Sequence, residues 1–373
     1  MLLDKLNNLG NAASWDSCGG VKQKSFRKAG IPLQYEKFVH DCSGTSEACR
    51  LMKVLQSNKC IHDCRYCVNS GGKQQKTELS PLEMADGFEL LWRRGIVEGL
   101  FLSSAVTKNA EETTEKMIES ARIIRRNGFK GYIHLKVLPS TPKHQIFEMA
   151  GIASRISLNI ETPSKEYLSE LGSTKDYFND LEKRIKWISE AKGKGLVHSF
   201  TTQFMVGGAG EKDEEIIKKM NSLYENTLLY RSYFSAFQPI KGTPMEKMNA
   251  ENESREYSLY QVDWLLRIYG FSEKEISSVL NEKGFLPLGK DVKREIALKN
   301  EGMFPVDINN AGKEELLRVP AIGPKTVEKI IQRREEKKFK ELRELKEIGL
   351  ITRKAQAFIQ LEKGIQKSIF SFA

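Results

Sequence analysis

No stretch of the sequence offers roughly 18 uninterrupted apolar residues, the length a membrane-spanning helix requires. The first twenty residues, MLLDKLNNLGNAASWDSCGG, also lack an apolar run of secretory length. A cytoplasmic protein with no membrane partner is therefore expected. Cysteine is scarce, at six among 373 residues. In a reducing compartment clustered cysteines point to metal binding or catalysis rather than to disulfides. Acidic residues are outnumbered, with 49 Asp and Glu against 59 Lys and Arg, a net charge of +10. Such an excess suits an acidic partner such as nucleic acid, or simply a well-charged soluble surface.

What is present is unevenly placed. Half of the cysteines fall within CIHDCRYC, residues 60–67, directly after the strand-like run LMKVLQSNK. At this length, with 40% apolar residues, one large domain and at least one smaller module are expected. From residue 50 to about 245, β-rich runs alternate with helical ones. Strands are predicted at 50–57, 97–104, 131–139, 154–161, 199–206 and 232–240, and helices at 81–95, 111–127, 178–194 and 213–227. This alternation argues for an α/β fold of parallel βα units, and counting alone leaves an open sheet and a barrel both possible.

Within the strands the alternation is one-sided. Ile133, Leu135 and Val137 oppose Tyr132, His134 and Lys136. Ile156, Leu158 and Ile160 oppose Ser157, Asn159 and Glu161, and Thr202, Phe204 and Val206 oppose Thr201 and Gln203. A parallel sheet covered on both sides is apolar on both faces. A polar face therefore fits a curved sheet whose inside lines a reaction chamber.

A C-x3-C-x2-C loop can supply thiolates to zinc or to an iron–sulfur cluster. Structural zinc wants four ligands, and the nearest fourth candidate, His62, stands awkwardly inside the same loop. A cluster held by three cysteines keeps one iron open, as a catalytic metal requires.

Cys60-x3-Cys64-x-Tyr66-Cys67 after a first strand resembles the signature of the radical S-adenosylmethionine (SAM) superfamily. MVGGAGE (205–211) is similar to its fifth-strand I-V-G-x-P-G-E segment, with Ala209 in place of proline, and PIKGTP (239–244) is similar to its P-x-x-G-T-P stretch. Ser103 and Ser104 stand where many members carry Gly-Gly-Glu. The resemblance implies a partial (β/α)6 TIM-like barrel with a [4Fe–4S] cluster on Cys60, Cys64 and Cys67. It implies SAM chelated to the open iron and cleaved to a 5′-deoxyadenosyl radical, with a flavodoxin, ferredoxin or reductase as electron donor. By the same match Tyr66 lies near the adenine, Ser103 and Ser104 at the amino acid end, and Asn159 and Glu161 at the ribose. Gly207 and Gly208 would let backbone approach the adenine, and His134 and Lys136 would meet the cofactor carboxylate or the substrate. The remaining cysteines, Cys18, Cys42 and Cys49, are candidates for a second metal site or are idle thiols.

Residues 304–373 carry 15 Lys and Arg against 10 Asp and Glu, half of the net charge in under a fifth of the chain. FPVDINNAGKEELLRVPAIGPKTVEKIIQRREE reads as helix, tight turn, helix, with a cap expected near Asn310. It resembles the helix-hairpin-helix DNA-binding domain of the competence-receptor type. In that motif, glycine-rich backbone and the next helix N-terminus grip a DNA phosphate. Ala321 replaces the first glycine, while Ile322, Gly323, Lys325 and Thr326 keep the rest. LKEIGLITRKAQAFI reads as a second, degenerate hairpin. A docking or packing module is the alternative to DNA binding.

The expected organisation is an N-terminal cysteine-containing extension (1–49), the barrel (50–270), a helical connector (271–303) and the hairpin domain (304–373). The combination resembles the DNA modification or repair family of radical SAM proteins, which is associated with uracil-DNA-glycosylase-like partners. A radical enzyme acting on RNA or protein, and a metal-stabilised DNA-binding protein without catalysis, are the rival readings.

Overall fold

The structure, a computed structural model, describes residues 2–13, 31–43, 48–70 and 75–361. The chain forms two compact units, one of residues 1–211 and 222–253, the other of 212–221 and 254–373.

The first unit is built on a seven-stranded sheet: β1 (Val39–Ser43), β2 (Ala48–Leu55), β3 (Gly99–Ser103), β4 (Tyr132–Lys136), β5 (Arg155–Ser157), β6 (Ser199–Val206) and β7 (Arg231–Ala236). The strands lie across the sheet in chain order, with β1 antiparallel to β2 and every later pair parallel. The sheet curls into a half-barrel with β1 and β7 at its edges. The helices of this unit are α1 (Leu2–Ala12), α2 (Pro81–Arg93), α3 (Ala110–Arg126), α4 (Lys143–Ile152), α5 (Lys165–Leu171) and α6 (Lys183–Gly193), the last entered through a π-helical turn at Tyr177–Glu182. Edge strand β1 was not among the predicted strands.

Local sequence accounts for the helix ends. Ser80 and Glu83 form a reciprocal capping box at the start of α2, with Pro81 in its first turn. Asn109 caps α3, Glu111 and Glu112 occupy its first turn, and Arg125 and Arg126 its last, each sign suiting the helix dipole. Arg125 also donates to the carbonyls of Phe129, Gly131 and Ile152, tying the end of α3 to the approach of β4 and the end of α4.

The outer face is apolar as read. Leu100, Leu102, Ile133, Leu135, Ile156, Phe200, Phe204 and Phe234 are buried, and each such side chain contributes about 1.5–3 kcal/mol. The regular ladder is shorter than the alternation suggested, because β5 stops at Ser157. Beyond it Thr202, on β6, accepts from the Ile160 N–H at 3.1 Å and donates to the Leu158 carbonyl at 2.7 Å. A threonine hydroxyl thus takes over two backbone partners, and the chain bends inward between β5 and β6. Pairing resumes where Glu161 N donates to Gln203 O, and Glu161 itself adopts a left-handed conformation, φ 66°. Such a backbone is uncommon for a residue with a side chain and recurs at functional sites.

The second unit contains the start of α7 (Asp213–Asn226), most of α8 (Glu253–Arg267), and then α9 (Glu273–Ser277), α10 (Val292–Lys299), α11 (Lys313–Arg318), α12 (Pro324–Glu336), α13 (Leu342–Glu347) and α14 (Thr352–Ala355). Two short strands, β8 (Val306–Asp307) and β9 (Ile359–Gln360), pair in parallel. Buried Asp213 accepts from Arg255 Nε at 2.7 Å and from Leu286 N at 2.9 Å, joining three segments of this unit. The two hairpins share one core: Ile308, Leu316, Val319, Ile322, Val327 and Ile330 pack with Phe339, Leu345 and Phe358. The cap of α11 is not at Asn310, whose amide donates to Asp307. It is at Gly312, whose N–H donates to Glu315 Oε2 at 2.7 Å. Among the described residues no helix is long and apolar enough to cross a membrane.

One buried lysine sits under the hairpin. Lys293 of α10 donates to the Ile322 carbonyl at 2.6 Å, and its ammonium lies 4.5 Å from the Tyr269 ring centroid. Burial, assisted by Arg318, pulls its pKa down to about 7, with Asp291 opposing. The unfolded value is about 10.4, so the unfolded chain binds more proton between the two pKa values, and unfolding free energy rises with pH through that window. In urea titrations at pH 7 and pH 9.5, this upward slope is expected in the native chain and is expected to flatten in Lys293→Met. An identical slope in both proteins would contradict the assignment.

Candidate active site

The C-terminal ends of the strands surround one cavity. Its wall takes Leu55 from β2, Ser103 from β3, Lys136 from β4, Gln203 and Met205 from β6 and Ser235 from β7. Cys60, Cys64 and Cys67 line it from the loop after β2, together with His62, Tyr66 and Asn69. Of the expected site residues, Tyr66, Ser103, Ser104, Lys136, Asn159 and Glu161 line this same cavity. Gly207 and Gly208 are outside that lining; side chains there would meet Glu251 and Met205. His134 stands one pleat below Lys136, fully buried, with Nε2 2.8 Å from Ser157 Oγ.

The cysteine loop has no regular secondary structure and is held by tertiary bonds. Ile61 N donates to Val106 O, Arg65 N to Leu171 O, and Met245 N, in the turn that begins at PIKGTP, to Arg65 O. The densest contact is Asp63. Its carboxylate accepts from Ser173 N and Oγ and from Thr174 N and Oγ1, at 2.6–3.1 Å. Burial alone would raise this acid, but the Ser173 and Thr174 donors outweigh it and hold the carboxyl well below its usual range. A Cβ on Gly172 would come within 2.8 Å of Asp63 Oδ1, so the approach requires glycine there.

That clamp brings in a residue the sequence reading missed. Lys175, next to the clamped pair, lies 3.7 Å from Glu161 Oε1 and close enough to Cys64 to feel its charge. Burial opposes its charge, yet Cys64 and Glu161 outweigh that and raise its pKa above the usual lysine value. Tyr66 stands near Glu161, and burial followed by the Glu161 charge pushes its phenol well up. One carboxylate thus links the tyrosine beside Cys67 to the lysine beside Cys64. Burial lifts the Cys64 thiol, and lifts Cys67 to about 12. Ionisation of these thiols calls for a metal, which deprotonates a coordinating thiol outright.

The MVGGAGE segment builds structure around Tyr66. Met205, Ala209 and Tyr66 all pack against one apolar cluster of Leu171, Phe237 and Met245. Glu211, fully buried, accepts from Gly207 N and Ala209 N and closes the turn. Ser104 Oγ donates to the Ala105 carbonyl at 2.7 Å, so its proton is turned to backbone.

Cys18 lies outside the described residues. Cys42 stands opposite Cys49 across β1 and β2. Cys49 is a free thiol packed against Leu51 and Phe101, and burial followed by Glu98 raises its pKa. Among the described residues no three His, Cys, Asp or Glu side chains close around a single ion.

Residues 54–223 match the model of the Radical SAM superfamily. This stretch is similar to radical SAM domains. Radical SAM domains use a [4Fe–4S] cluster and SAM. The cavity fits such a pair by its own chemistry: three free thiols line it, and two buried wall atoms, His62 Nε2 and Asn69 Oδ1, have no hydrogen-bond partner among the described residues. Residues 304–363 match the helix-hairpin-helix motif. Similar solved structures include methylornithine synthase (PylB), with TM-score 0.48, 16% identity, and coverage of 57% of this chain and 62% of that one. The FeFe-hydrogenase maturase HydG from Carboxydothermus hydrogenoformans gives 0.47, 16%, 57% and 49%. The radical SAM methyltransferase TsrM from Kitasatospora setae, with cobalamin and [4Fe–4S] cluster bound, gives 0.43, 16%, 62% and 41%. The match therefore spans less than two thirds of each of these relatives. No curated protein matches the chain.

In the hairpin, Gly323 is the N-cap of α12 and Pro324 opens it, leaving Lys325 exposed and Thr326 half-buried in the first turn. Ile322 differs from these three. Its side chain is fully buried, its N–H donates to Val319 O and its carbonyl accepts from Lys293, so it is removed from any exposed grip. Ala321, where glycine is usual, has φ 65°. The turn demands the left-handed conformation and alanine adopts it against its steric preference.

Two outcomes are expected. Ala321→Gly relieves that strain and should stabilise the chain by about 0.5–1 kcal/mol net of the entropy of glycine, read as a higher urea midpoint. Asp63→Ala strips the acceptor from the Ser173 and Thr174 donors and should cost about 1–3 kcal/mol. It should also roughly halve the iron retained per chain after anaerobic reconstitution and desalting, and unchanged iron content would show that the clamp does not hold the loop.

Proposed function

We propose that this chain is a cytoplasmic radical SAM enzyme that acts on DNA. The observation that carries the reading is the convergence of Cys60, Cys64 and Cys67 with Tyr66, Glu161 and Lys175 on one cavity at the strand ends. Cys60, Cys64 and Cys67 would hold the cluster, leaving one iron for SAM. When bound, the pair supplies one-electron cleavage of SAM to a 5′-deoxyadenosyl radical able to take hydrogen from substrate.

The chain's own groups orient and enclose. Lys175, kept charged, suits the cofactor carboxylate, and Ser103, Ser104 and Lys136 line the same end of the reading. Glu161 and Asn159 suit the ribose hydroxyls, and the left-handed backbone aims Glu161 into the chamber while Lys175 pairs with its carboxylate. Tyr66, Met205 and Ala209, all packed on one apolar cluster, offer a slot for the adenine. An electron donor of flavodoxin, ferredoxin or reductase type belongs to this reading. A uracil-DNA-glycosylase-like partner rests on the sequence resemblance alone.

DNA as substrate is supported by the hairpin. Gly323, Lys325 and Thr326 stand at the start of α12, a 13-residue helix, whose first N–H groups have no intrahelical acceptor. Contacts to phosphate there would position a strand without reading its sequence. A chamber of this kind admits a flipped or single-stranded nucleotide rather than a stacked base.

The test is anaerobic reconstitution with iron and sulfide, reduction, and measurement of 5′-deoxyadenosine with duplex DNA, single-stranded DNA or tRNA. DNA is expected to raise the yield, Cys64→Ala to abolish it, and Lys325→Glu to raise the DNA concentration required by about tenfold at low salt. Equal yields with and without DNA, or a Cys64→Ala protein as active as the native one, would contradict the proposal.

A further inference from the structure

Helix α8 turns an aromatic stripe to solvent. Tyr257, Trp264 and Ile268 recur at spacings of seven and four residues, which sets them on one face, and they are 54%, 46% and 40% exposed. Ile268 N donates to Trp264 O, so the helical turn carries the stripe one residue past the end of α8. The opposite face is spent on the core, where Leu259, Val262 and Leu265 are buried. Large apolar groups left outside together mark a surface that meets something.

The stripe is divided. Gln261 stands between the rings with its amide committed: Oε1 accepts from Val292 N at 2.9 Å, and Nε2 donates to Lys290 O at 3.4 Å. Seven residues of helix separate the rings by about 10 Å along the axis. That spacing suits flat groups taken up one by one, whereas a partner helix needs a continuous apolar seam. The indole is also held in place. Arg267 donates to both oxygens of Asp263 at 2.8 and 2.6 Å, and its guanidinium carbon lies 5.9 Å from the Trp264 ring centroid. A ring pinned in this way loses little freedom when a ligand stacks on it.

At its C-terminal end the stripe adjoins the hairpin. Tyr269 N donates to Trp264 O, and Arg318, which ends α11, donates to the Tyr269 and Gly270 carbonyls at 3.1 and 2.9 Å. A Cβ on Gly323, the N-cap of α12, would come within 3.0 Å of the Tyr269 hydroxyl. Trp264 is thereby tied to the start of α12, where Lys325 is exposed. The hairpin region 304–373 carries 15 Lys and Arg against 10 Asp and Glu, net +5. A second copy seated on the stripe would bring two such basic regions together, and like charges repel. A nucleic-acid strand meets no such cost, because its phosphates suit the cations and its bases suit the rings.

We propose that Tyr257 and Trp264 form a stacking platform for the bases of single-stranded DNA whose backbone is held at the start of α12. The inference rests on the nucleic-acid reading above and deepens it by naming the form of DNA that this unit takes up.

The test uses the full chain and a fluorescein-labelled 12-nucleotide single-stranded oligodeoxynucleotide, read by anisotropy over a salt series, beside an oligomer of equal length made wholly of abasic sites. Tyr257→Ala/Trp264→Ala is expected to weaken binding of the base-bearing strand at least about tenfold. The slope of log K against log salt should stay unchanged, since rings are removed and no charge is. The abasic oligomer should bind the native chain and the Ala pair alike. Tyr257→Phe/Trp264→Phe keeps two rings and should keep most of the affinity, which separates lost stacking from misfolding. If the native chain binds the base-bearing strand and the Ala pair binds it equally well, the platform is overturned while the nucleic-acid reading stands. An Ala pair that loses the abasic oligomer to the same degree would overturn it too, because the rings would then act through the fold. If the native chain binds neither oligomer, the reading and the platform fail together. Sedimentation of the free chain should show a monomer, and a dimer dissolved by the Ala pair would assign the stripe to a second copy and overturn the platform.

Discussion

Everything at this site depends on the carboxylate of Asp63. The loop bearing the three cysteines has no helix or strand of its own, so its shape is borrowed from residues far along the chain. Four donors from Ser173 and Thr174 converge on that one side chain, and the next residue, Lys175, reaches Cys64 and Glu161. A single clamp thus brings the metal-binding loop, the lysine and the glutamate together. The glutamate arrives from the other side, carried inward where Thr202 replaces the ladder after β5. Two polar side chains therefore shape the chamber, Asp63 by closing it and Thr202 by bending its wall.

The division of labour between the two faces of the sheet follows from the same economy. Apolar packing under the helices holds the sheet through its outer face, which leaves the inner face open to polar and charged residues. That freedom places serines, Lys136 and Gln203 around the cofactor cavity. The hairpin unit solves a different problem with similar means. A buried lysine supports its turn from below, and Ala321 accepts a backbone conformation suited to glycine.

Much of this was legible in the sequence. The alternation in YIHLKVLP and SRISLNIE gave the polar interior correctly, because period-2 patterning is a local property of each strand. The spacing of the cysteine loop singled it out, the family resemblance added Tyr66, and the structure places all four residues on one cavity. Lys175 was not, since GSTKDY reads as an ordinary approach to a helix, and the clamp beside it joins Ser173 to Asp63 across 110 residues of chain. The end of β5 was overestimated because the apolar alternation continues past the point where Thr202 takes the hydrogen bonds. The buried carbonyl contact of Lys293 left no local trace either, as a lone lysine in an amphipathic helix reads as exposed.

The central claim is that a radical made in this cavity takes hydrogen from nucleic acid. Its most direct test is to incubate the reconstituted, reduced full chain with SAM and an oligodeoxynucleotide deuterated throughout its sugars and bases, and to weigh the 5′-deoxyadenosine formed. The account predicts deoxyadenosine one mass unit heavier than that formed with unlabelled DNA. Product that forms readily but carries no deuterium would contradict it.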